Sequence, residues 1–339
     1  MTSAGAATPV HIVTGFLGAG KTTLLGHALR TEAFRHTALI VNEVDAIGLD
    51  NELLLDAVDS PPLLLKGGCV CCALDQSLAH TLRELELRRA RGQVPHFARV
   101  VVETTGLADP RPIIAELVTD PWLAHHFEFA NVISLFDAHR GVETLAAHVE
   151  SVAQLGTADI VVLSKTDLLP PACRASLIET ITGLNRDAVV LEADRGRLSA
   201  PSLLCQCQSA RRPTDGHRSF FAEAAAPRSA PIHGSALHAA TSAHLVTDHR
   251  LPWTRWAVAL DRVAAEAHEC LLRVKGLIAV SDVDQPIVVH AVGSTFFKPE
   301  LLPRWPTEDR RSRVVMIRRG PGAHSLAERL ESLLTAPAA

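Results

Sequence analysis

The chain of 339 residues has no apolar stretch long enough, about eighteen residues, to be read as a membrane span. Its opening, MTSAGAATPV, shows neither the basic n-region nor the apolar h-region of a secretory leader, so export is not expected. Charge of one sign is not in excess either: 33 Lys and Arg against 37 Asp and Glu leave a net charge of −4. Such a balance gives no basic footprint for nucleic acid or an anionic membrane, and neither is expected as a partner. Cysteine is scarce, 7 in all, and an odd number with adjacent members fits a reduced cytoplasmic protein better than a disulfide framework. No internal repeat is visible. What is present is 47% hydrophobic and 21% charged residues, enough for a sizeable core. The length suggests two domains at about 150 residues each.

Through residues 1–194, short β-branched segments alternate with helical ones. PVHIVTG, TALIVNE, ARVVVETTG, NVISLFD, DIVVLSK and AVVLEAD lack strict apolar–polar alternation, as strands buried on both faces of a parallel sheet do. DQSLAHTLRELELRRARG carries leucines at helical spacing and stops at Gly92. The pattern predicts an α/β fold: a doubly wound, mostly parallel sheet with its ligand at the carboxyl ends of the strands. From 195 to 250 the chain turns to Ala, Ser, Pro and Gly, which reads as a flexible linker with scattered histidines. Over 251–339, the helix WTRWAVALDRVAAEAHECLL, the strands RVKGLIAVSD, PIVVHAVGS and RSRVVMIRR and the helix SLAERLESLL predict a smaller α+β domain.

GFLGAGKT, from Gly15 to Thr22, matches the phosphate-loop template G-x-x-x-x-G-K-[ST], with strand VHIVTG before it and helix TTLLGHALR after it. Gly15, Gly18 and Gly20, with Ala19 between the last two, let backbone N–H groups turn inward around phosphate oxygens at the positive end of a helix. Lys21 brings a point charge to the β and γ phosphates, and the Thr22 hydroxyl is a ligand for Mg²⁺. A chance glycine turn gives this match on the order of once in a hundred chains of this length, less often with both flanks present. Motif and context together predict a P-loop NTPase domain.

Two later stretches bear on the nucleotide. VVVETTG ends a strand at Glu103 with Gly106 three residues on; in nucleotide switches an acidic residue there serves Mg²⁺ and the glycine N–H senses the γ-phosphate. The competing reading is an ordinary strand-ending turn. VVLSKTDL follows another strand, where Asp167 is suited to accept the guanine N1–H and amine hydrogens together and Lys165 to lie over the purine. Guanine loops usually begin with Asn; here the position is Ser164. After a buried strand late in a P-loop domain, this stretch favours GTP over ATP.

GGCVCCALDQ places Cys69, Cys71 and Cys72 within four positions. Adjacent cysteines close a strained ring and do not readily pair with each other. Three thiolates suit Zn²⁺ or a similar divalent ion and leave one of four positions for another donor, which suits a transferable metal more than a closed zinc finger. Cysteines packing as small hydrophobes are the alternative.

GFLGAGKTTLL, GCVCC, ETTGLADP and SKTDL, in this order, resemble the CobW-type metal-trafficking GTPases, relatives of the urease and hydrogenase nickel-insertion GTPases. VNE, QLGTADIVVLSKTDL, LLRVKGLIAV and VVHAVGSTF extend the resemblance over most of the chain. It implies GTP on Gly15 through Thr23 and on Lys165 and Asp167, with Ser164 at the first position of the guanine loop. It implies Mg²⁺ at Thr22 and near Glu103, and a transition metal on Cys69, Cys71 and Cys72. Lys21, Glu103 and Gly106 are then the residues expected at the hydrolytic centre of a slow GTPase stimulated by metal or client. The implied role is delivery of zinc or cobalt to a client protein or to cobalamin synthesis, with a GTP-dependent homodimer as a further implication. A maturation factor of the nitrile hydratase activator type, with a structural metal, and a small-molecule kinase are the rival readings; the kinase leaves the cysteines without a role.

Three departures stand out. NEVDA, from Asn42 to Ala46, replaces the NEFGE common in the family, leaving Glu43 and Asp45 as oxygen donors. Ser164 is the second. The third is the absence of a dense histidine tract: His217, His233, His238, His244 and His249 are scattered, and solvated linker residues are a better reading of them than a metal-collecting arm. Cys205 and Cys207 in LLCQCQ form a lone C-x-C of low specificity.

Overall fold

A computed structural model describes residues 7–42, 63–67, 78–193, 195, 197–198 and 240–336. Seven strands form the first sheet: β1 Thr8–Gly15, β2 Thr37–Asn42, β3 Leu63–Gly67, β4 Arg99–Glu103, β5 Phe127–Asp137, β6 Ile160–Ser164 and β7 Val189–Glu192. Their order is β3-β2-β4-β1-β5-β6-β7, and every neighbouring pair is parallel. The helices of this part of the chain are α1 Lys21–Leu29, α2 Leu78–Ala90, α3 Pro110–Thr119, α4 Pro121–His126, α5 Gly141–Ala147, α6 Val149–Thr157 and α7 Pro171–Leu184. The doubly wound α/β architecture expected from the apolar segments is present. The short run LLLKG, between prolines and glycines, adds edge strand β3 beyond those expected.

The strands read as continuous apolar runs because helices bury both faces. Val10, Ile12, Val13, Leu39, Ile40, Val101, Ile133, Ile160 and Val162 are all within 3% of complete burial. Leu24, Leu25 and Ala28 of α1 pack into the same core. A register shift between Val10 and His11 sets β5 against β1, and there the His11 Nδ1 lies 3.0 Å from the Asn131 Oδ1 inside the sheet. Parallel register brings the strand ends to one edge: Gly15 lies opposite Leu135, Val13 and Val41 opposite Glu103, Asp137 opposite Ser164, and Asn42 opposite Gly67.

The second sheet is antiparallel. It comprises β8 Ala240–Thr247, β9 Leu271–Ile278, β10 Ile287–Val292, β11 Thr295–Phe296, β12 Glu300–Leu301 and β13 Ser312–Arg319 in the order β11-β10-β9-β13-β8, with β12 also on β10. Helices α8, Trp253–Glu266, and α9, Ala323–Thr335, cover one face. Trp256, Leu260 and Val263 of α8 fall on one helical stripe and meet Ala243, Leu245, Val274, Val289, Val314 and Met316. Each such buried side chain contributes about 1.5–3 kcal/mol.

β8 lies inside the stretch 195–250 read as linker. Its sequence ATSAHLVT is poor in strand-forming bulk, but eight paired positions against β13 supply the hydrogen bonds that its composition does not advertise. His244, placed among the scattered linker histidines, is therefore a strand residue opposite Val315.

Two compact units result, and they do not follow chain order. One holds the described residues up to Thr144 with 158–174 and 188–198; the other holds Leu145–Thr157, Ala175–Asp187 and 240–336. In the second unit Gly156 of α6 has no room for a Cβ, which would lie 2.5 Å from the Leu272 Cδ1. Arg273 donates to the Thr157 carbonyl, Asn185 donates to the Leu155 carbonyl at 2.8 Å, and Lys275 lies 4.0 Å from Asp187.

Candidate functional site

The glycine-rich turn leaves β1 through Gly15 at φ 138° and enters α1 through Gly20 at φ 93°, with Gly18 at φ 72° between them. A Cβ on Gly15 would lie 2.4 Å from the Leu135 carbonyl oxygen, so only glycine fits where β1 meets β5. Ala19 is buried, and its N–H bonds to the Phe16 carbonyl at 3.1 Å, closing the turn. Lys21 folds back across it, its Nζ donating to the Gly15 carbonyl at 2.9 Å and reaching the Phe16 carbonyl at 3.4 Å.

The start of α1 differs from the starts of α3 and α4. Asp109 caps α3 through the Arg111 N–H at 3.0 Å, and Asp120 caps α4 through Trp122 at 2.9 Å and Leu123 at 3.0 Å. Gly20, which precedes α1, has no side chain to cap it, and the first turn holds no acidic residue. The positive end of its dipole, with the glycine turn in front of it, suits an anion from outside the chain.

Around this turn the structure places Thr22, Glu103 and Gly106. Thr22 donates to the Glu103 Oε1 at 3.3 Å, with Glu103 almost wholly buried at the end of β4. Thr104 stitches the same strand end to β1, through its N–H to the Val13 carbonyl and its hydroxyl to that of Thr14, both at 2.9 Å. Gly106 then passes so close to the glycine-rich turn that a Cβ on it would lie 2.6 Å from the Leu17 nitrogen. Thr23 is exposed on the first turn of α1.

On the far side, Ser164 ends β6 and its hydroxyl donates to the Ala19 carbonyl at 2.7 Å. The serine thus braces the glycine-rich turn from the position where guanine loops usually carry Asn. Lys165 stands in the left-handed region at φ 55°, with its Nζ 2.7 Å from the Asp137 Oδ2. Asp167 is exposed on the 3₁₀ turn that follows, Thr166–Leu168. Asp137 is the residue that sequence reasoning passed over. Its Oδ1 accepts the N–H groups of His139 at 2.9 Å and Arg140 at 3.1 Å, so a strand ending in Asp just ahead of a helix was the available signal. Burial pushes its carboxyl up, but Lys165 and the Arg140 and His139 amides outweigh this and hold it below the usual aspartate value.

Glu43, Cys69, Cys71 and Cys72 lie outside the described residues, as do Cys205, Cys207, His217, His233 and His238. Their approach is defined: β2 ends at Asn42 and β3 at Gly67, register partners on the sheet edge that carries Gly15 and Glu103. Among the described residues no helix is long and apolar enough to cross a membrane.

A parallel sheet whose first strand runs through left-handed glycines into an uncapped helix defines a P-loop nucleotide-binding protein. Comparison with known proteins makes the class narrower. The family model for the CobW/HypB/UreG nucleotide-binding domain matches residues 9–192, and the chain belongs to that family. The model for the cobalamin synthesis protein cobW C-terminal domain matches 240–334, beginning at the first residue of β8. A protein named zinc chaperone CobW from Pseudomonas aeruginosa is 30% identical over 360 residues, covering 96% of this chain and 91% of the relative. The zinc chaperone YjiA of Escherichia coli is 35% identical over 187 residues, 55% of this chain and 58% of the relative. A crystal structure of Zn(II)-bound YjiA GTPase from E. coli shares the fold, with a TM-score of 0.73 at 22% identity over 97% of this chain and 99% of that one.

Proposed function

We propose that this protein is a GTP-binding and GTP-hydrolysing metallochaperone, in which nucleotide state governs retention of a transition metal on Cys69, Cys71 and Cys72. The observation that carries the reading is the uncapped α1 N-terminus inside its glycine turn, tied by Ser164 to the Lys165–Asp167 loop on one side and by Thr22 to Glu103 on the other. Amides of Gly18 and of Gly20 to Thr23 hold the phosphates, Lys21 sets its charge against the β and γ groups, and the Gly106 N–H responds to the γ-phosphate. Asp167 accepts the guanine N1–H and amine, and Lys165 covers the ring.

A hydroxyl and a buried carboxylate side by side fit a hard cation that keeps most of its waters, so Thr22 and Glu103 are the residues that would hold Mg²⁺. Bound there, the ion would neutralise charge on the β and γ phosphates. The metal on the thiolates is cargo, and its coupling to nucleotide has a short path. In the order β3-β2-β4, Gly67 lies two strand spacings, about 10 Å, from the strand of Glu103, and Cys69 follows two residues later. Relatives named zinc chaperones favour zinc over cobalt as the cargo. A client protein receives it, and a GTP-dependent homodimer and a link to cobalamin synthesis belong to the same reading.

The test is metal affinity of the reduced protein without nucleotide, with GDP and with a non-hydrolysable GTP analogue, for zinc and cobalt separately, with Cys71→Ser as control. A difference of about tenfold between the GTP and GDP states, a coupling near 1.4 kcal/mol, is expected, and linkage then requires metal to alter nucleotide affinity equally. Tight zinc that ignores nucleotide would make the metal structural and the protein a maturation factor. Zinc affinity that survives Cys71→Ser unchanged would overturn the site.

A further inference from the structure

We infer that Asp137 is a positioning residue for the nucleobase: it tethers the Lys165 ammonium so that the lysine stem lies ready as one wall of the base pocket. This rests on the reading of Lys165 and Asp167 as the guanine loop.

The tether follows from the sheet. Asp137 and Ser164 are register partners at the ends of adjacent parallel strands, so the Asp137 carboxylate emerges beside the residue after Ser164. The Ala138 N–H bonds to the Ser164 carbonyl at 2.9 Å, extending the pairing one step past the strands. Lys165 there adopts φ 55°, a conformation that a residue with a Cβ keeps only where its surroundings dictate it. Both carboxylate oxygens of Asp137 are committed, Oδ2 to Lys165 and Oδ1 to the amides of His139 and Arg140. The segment that supplies these amides is itself fixed, because Gly141 passes over Phe136 so closely that a Cβ would meet its ring at 2.3 Å.

Exposure divides the pair in a useful way. The Asp137 side chain is 15% exposed and that of Lys165 is 40% exposed, so the anchor is inside and part of the lysine remains open. A free surface lysine loses rotamer entropy when it settles over a planar ligand; one already held at its ammonium loses less. Asp137 therefore acts on affinity for any purine that the pocket admits, while the choice of guanine belongs to Asp167.

The experiment measures affinity of the full-length protein for fluorescent GDP, with ADP and XDP as competitors, in Asp137→Asn, Lys165→Ala, the double variant and Asp167→Asn. Asparagine keeps an oxygen for the His139 and Arg140 amides, so Asp137→Asn removes the charge and spares the cap. Asp137→Asn is expected to weaken GDP about tenfold, Lys165→Ala by as much, and the double variant no further than Lys165→Ala, with the GDP-to-ADP ratio unchanged. Losses that add in the double variant would assign Asp137 a separate structural role and overturn the inference, as would wild-type affinity in Asp137→Asn. If the wild type does not prefer GDP to ADP, or Asp167→Asn does not move preference toward XDP, the guanine-loop reading falls and this inference with it. Normal behaviour of Asp167→Asn beside an unaffected Asp137→Asn would remove the tether alone.

Discussion

In β1 of the parallel sheet seven of eight residues are buried, whereas β8 of the antiparallel sheet alternates, with Ala243 and Leu245 inside and Ser242, His244 and Val246 half-buried. The same parity runs across the second sheet. Val274, Val314 and Met316 face α8 and α9, while Arg273, Lys275 and Arg313 stand with His244 on the other face. Strands covered on two sides have no surface for function, so the parallel sheet presents its chemistry only where strands stop. The second face of the antiparallel sheet also meets a helix, α6, and its charges are held there by partners, Arg273 by the Thr157 carbonyl and Lys275 by Asp187. The difference explains why each sequence motif for nucleotide lies at a strand end and none lies within a strand.

The comparison can be broken or sharpened by substitution. The largest effect is expected in the antiparallel unit, where Trp256 is fully buried in the core beneath α8: Trp256→Ala should cost about 4 kcal/mol in a urea unfolding curve. Gly15→Ala should cost about 3 kcal/mol or more, because the new methyl meets the Leu135 backbone, which parallel pairing holds in place. Gly276→Ala meets the Val289 Cγ2 at 2.6 Å and the Val314 Cγ2 at 3.3 Å, side chains that can shift, and should cost about 1–2 kcal/mol. Equal losses at the two glycines would break the contrast between a backbone neighbour and a side-chain neighbour.

Ser164→Ala should cost about 1 kcal/mol, by removing the hydroxyl that holds the Ala19 carbonyl, and should weaken GDP several-fold. Ser164→Asn, which restores reach, should recover the affinity.

The smallest effect is a dependence on pH. Burial pushes the His244 pKa down, Asp187 opposes, and Arg186 and His324 add to the depression. Its Nδ1 is buried with no hydrogen-bond partner among the described residues. The unfolded chain therefore takes up a proton near pH 6.5 that the folded chain resists. This contribution is intact above pH 6.5 and is lost as pH falls from there through the folded value. Asp137 acts lower, its stabilisation present above about pH 3.8 and lost as pH falls through its depressed folded value. Unfolding curves taken below pH 6.5 should thus slope with pH less steeply in His244→Gln than in the wild type.

Much of the first unit was legible because its physics leaves few choices of residue. Backbone amides that surround phosphate need left-handed turns, and Gly15, Gly18 and Gly20 state that need in the chain. The buried parallel strands likewise declare themselves by apolar continuity. β3 and β8 were not legible: LLLKG is too short between its breakers, and ATSAHLVT becomes a strand through β13 rather than through its own preference.

The sequence by itself determined the class of fold, the phosphate-binding turn and the residues to examine, since local conformation and apolar period are written into consecutive positions. Only the tertiary structure decided that Ser164 braces Ala19, that Asp137 holds Lys165 and that Leu145–Thr157 joins the unit of the antiparallel sheet. Those pairings join residues far apart along the chain, 145 positions for Ser164 and Ala19. Such contacts arise from strand order and register, which no stretch of consecutive residues specifies alone.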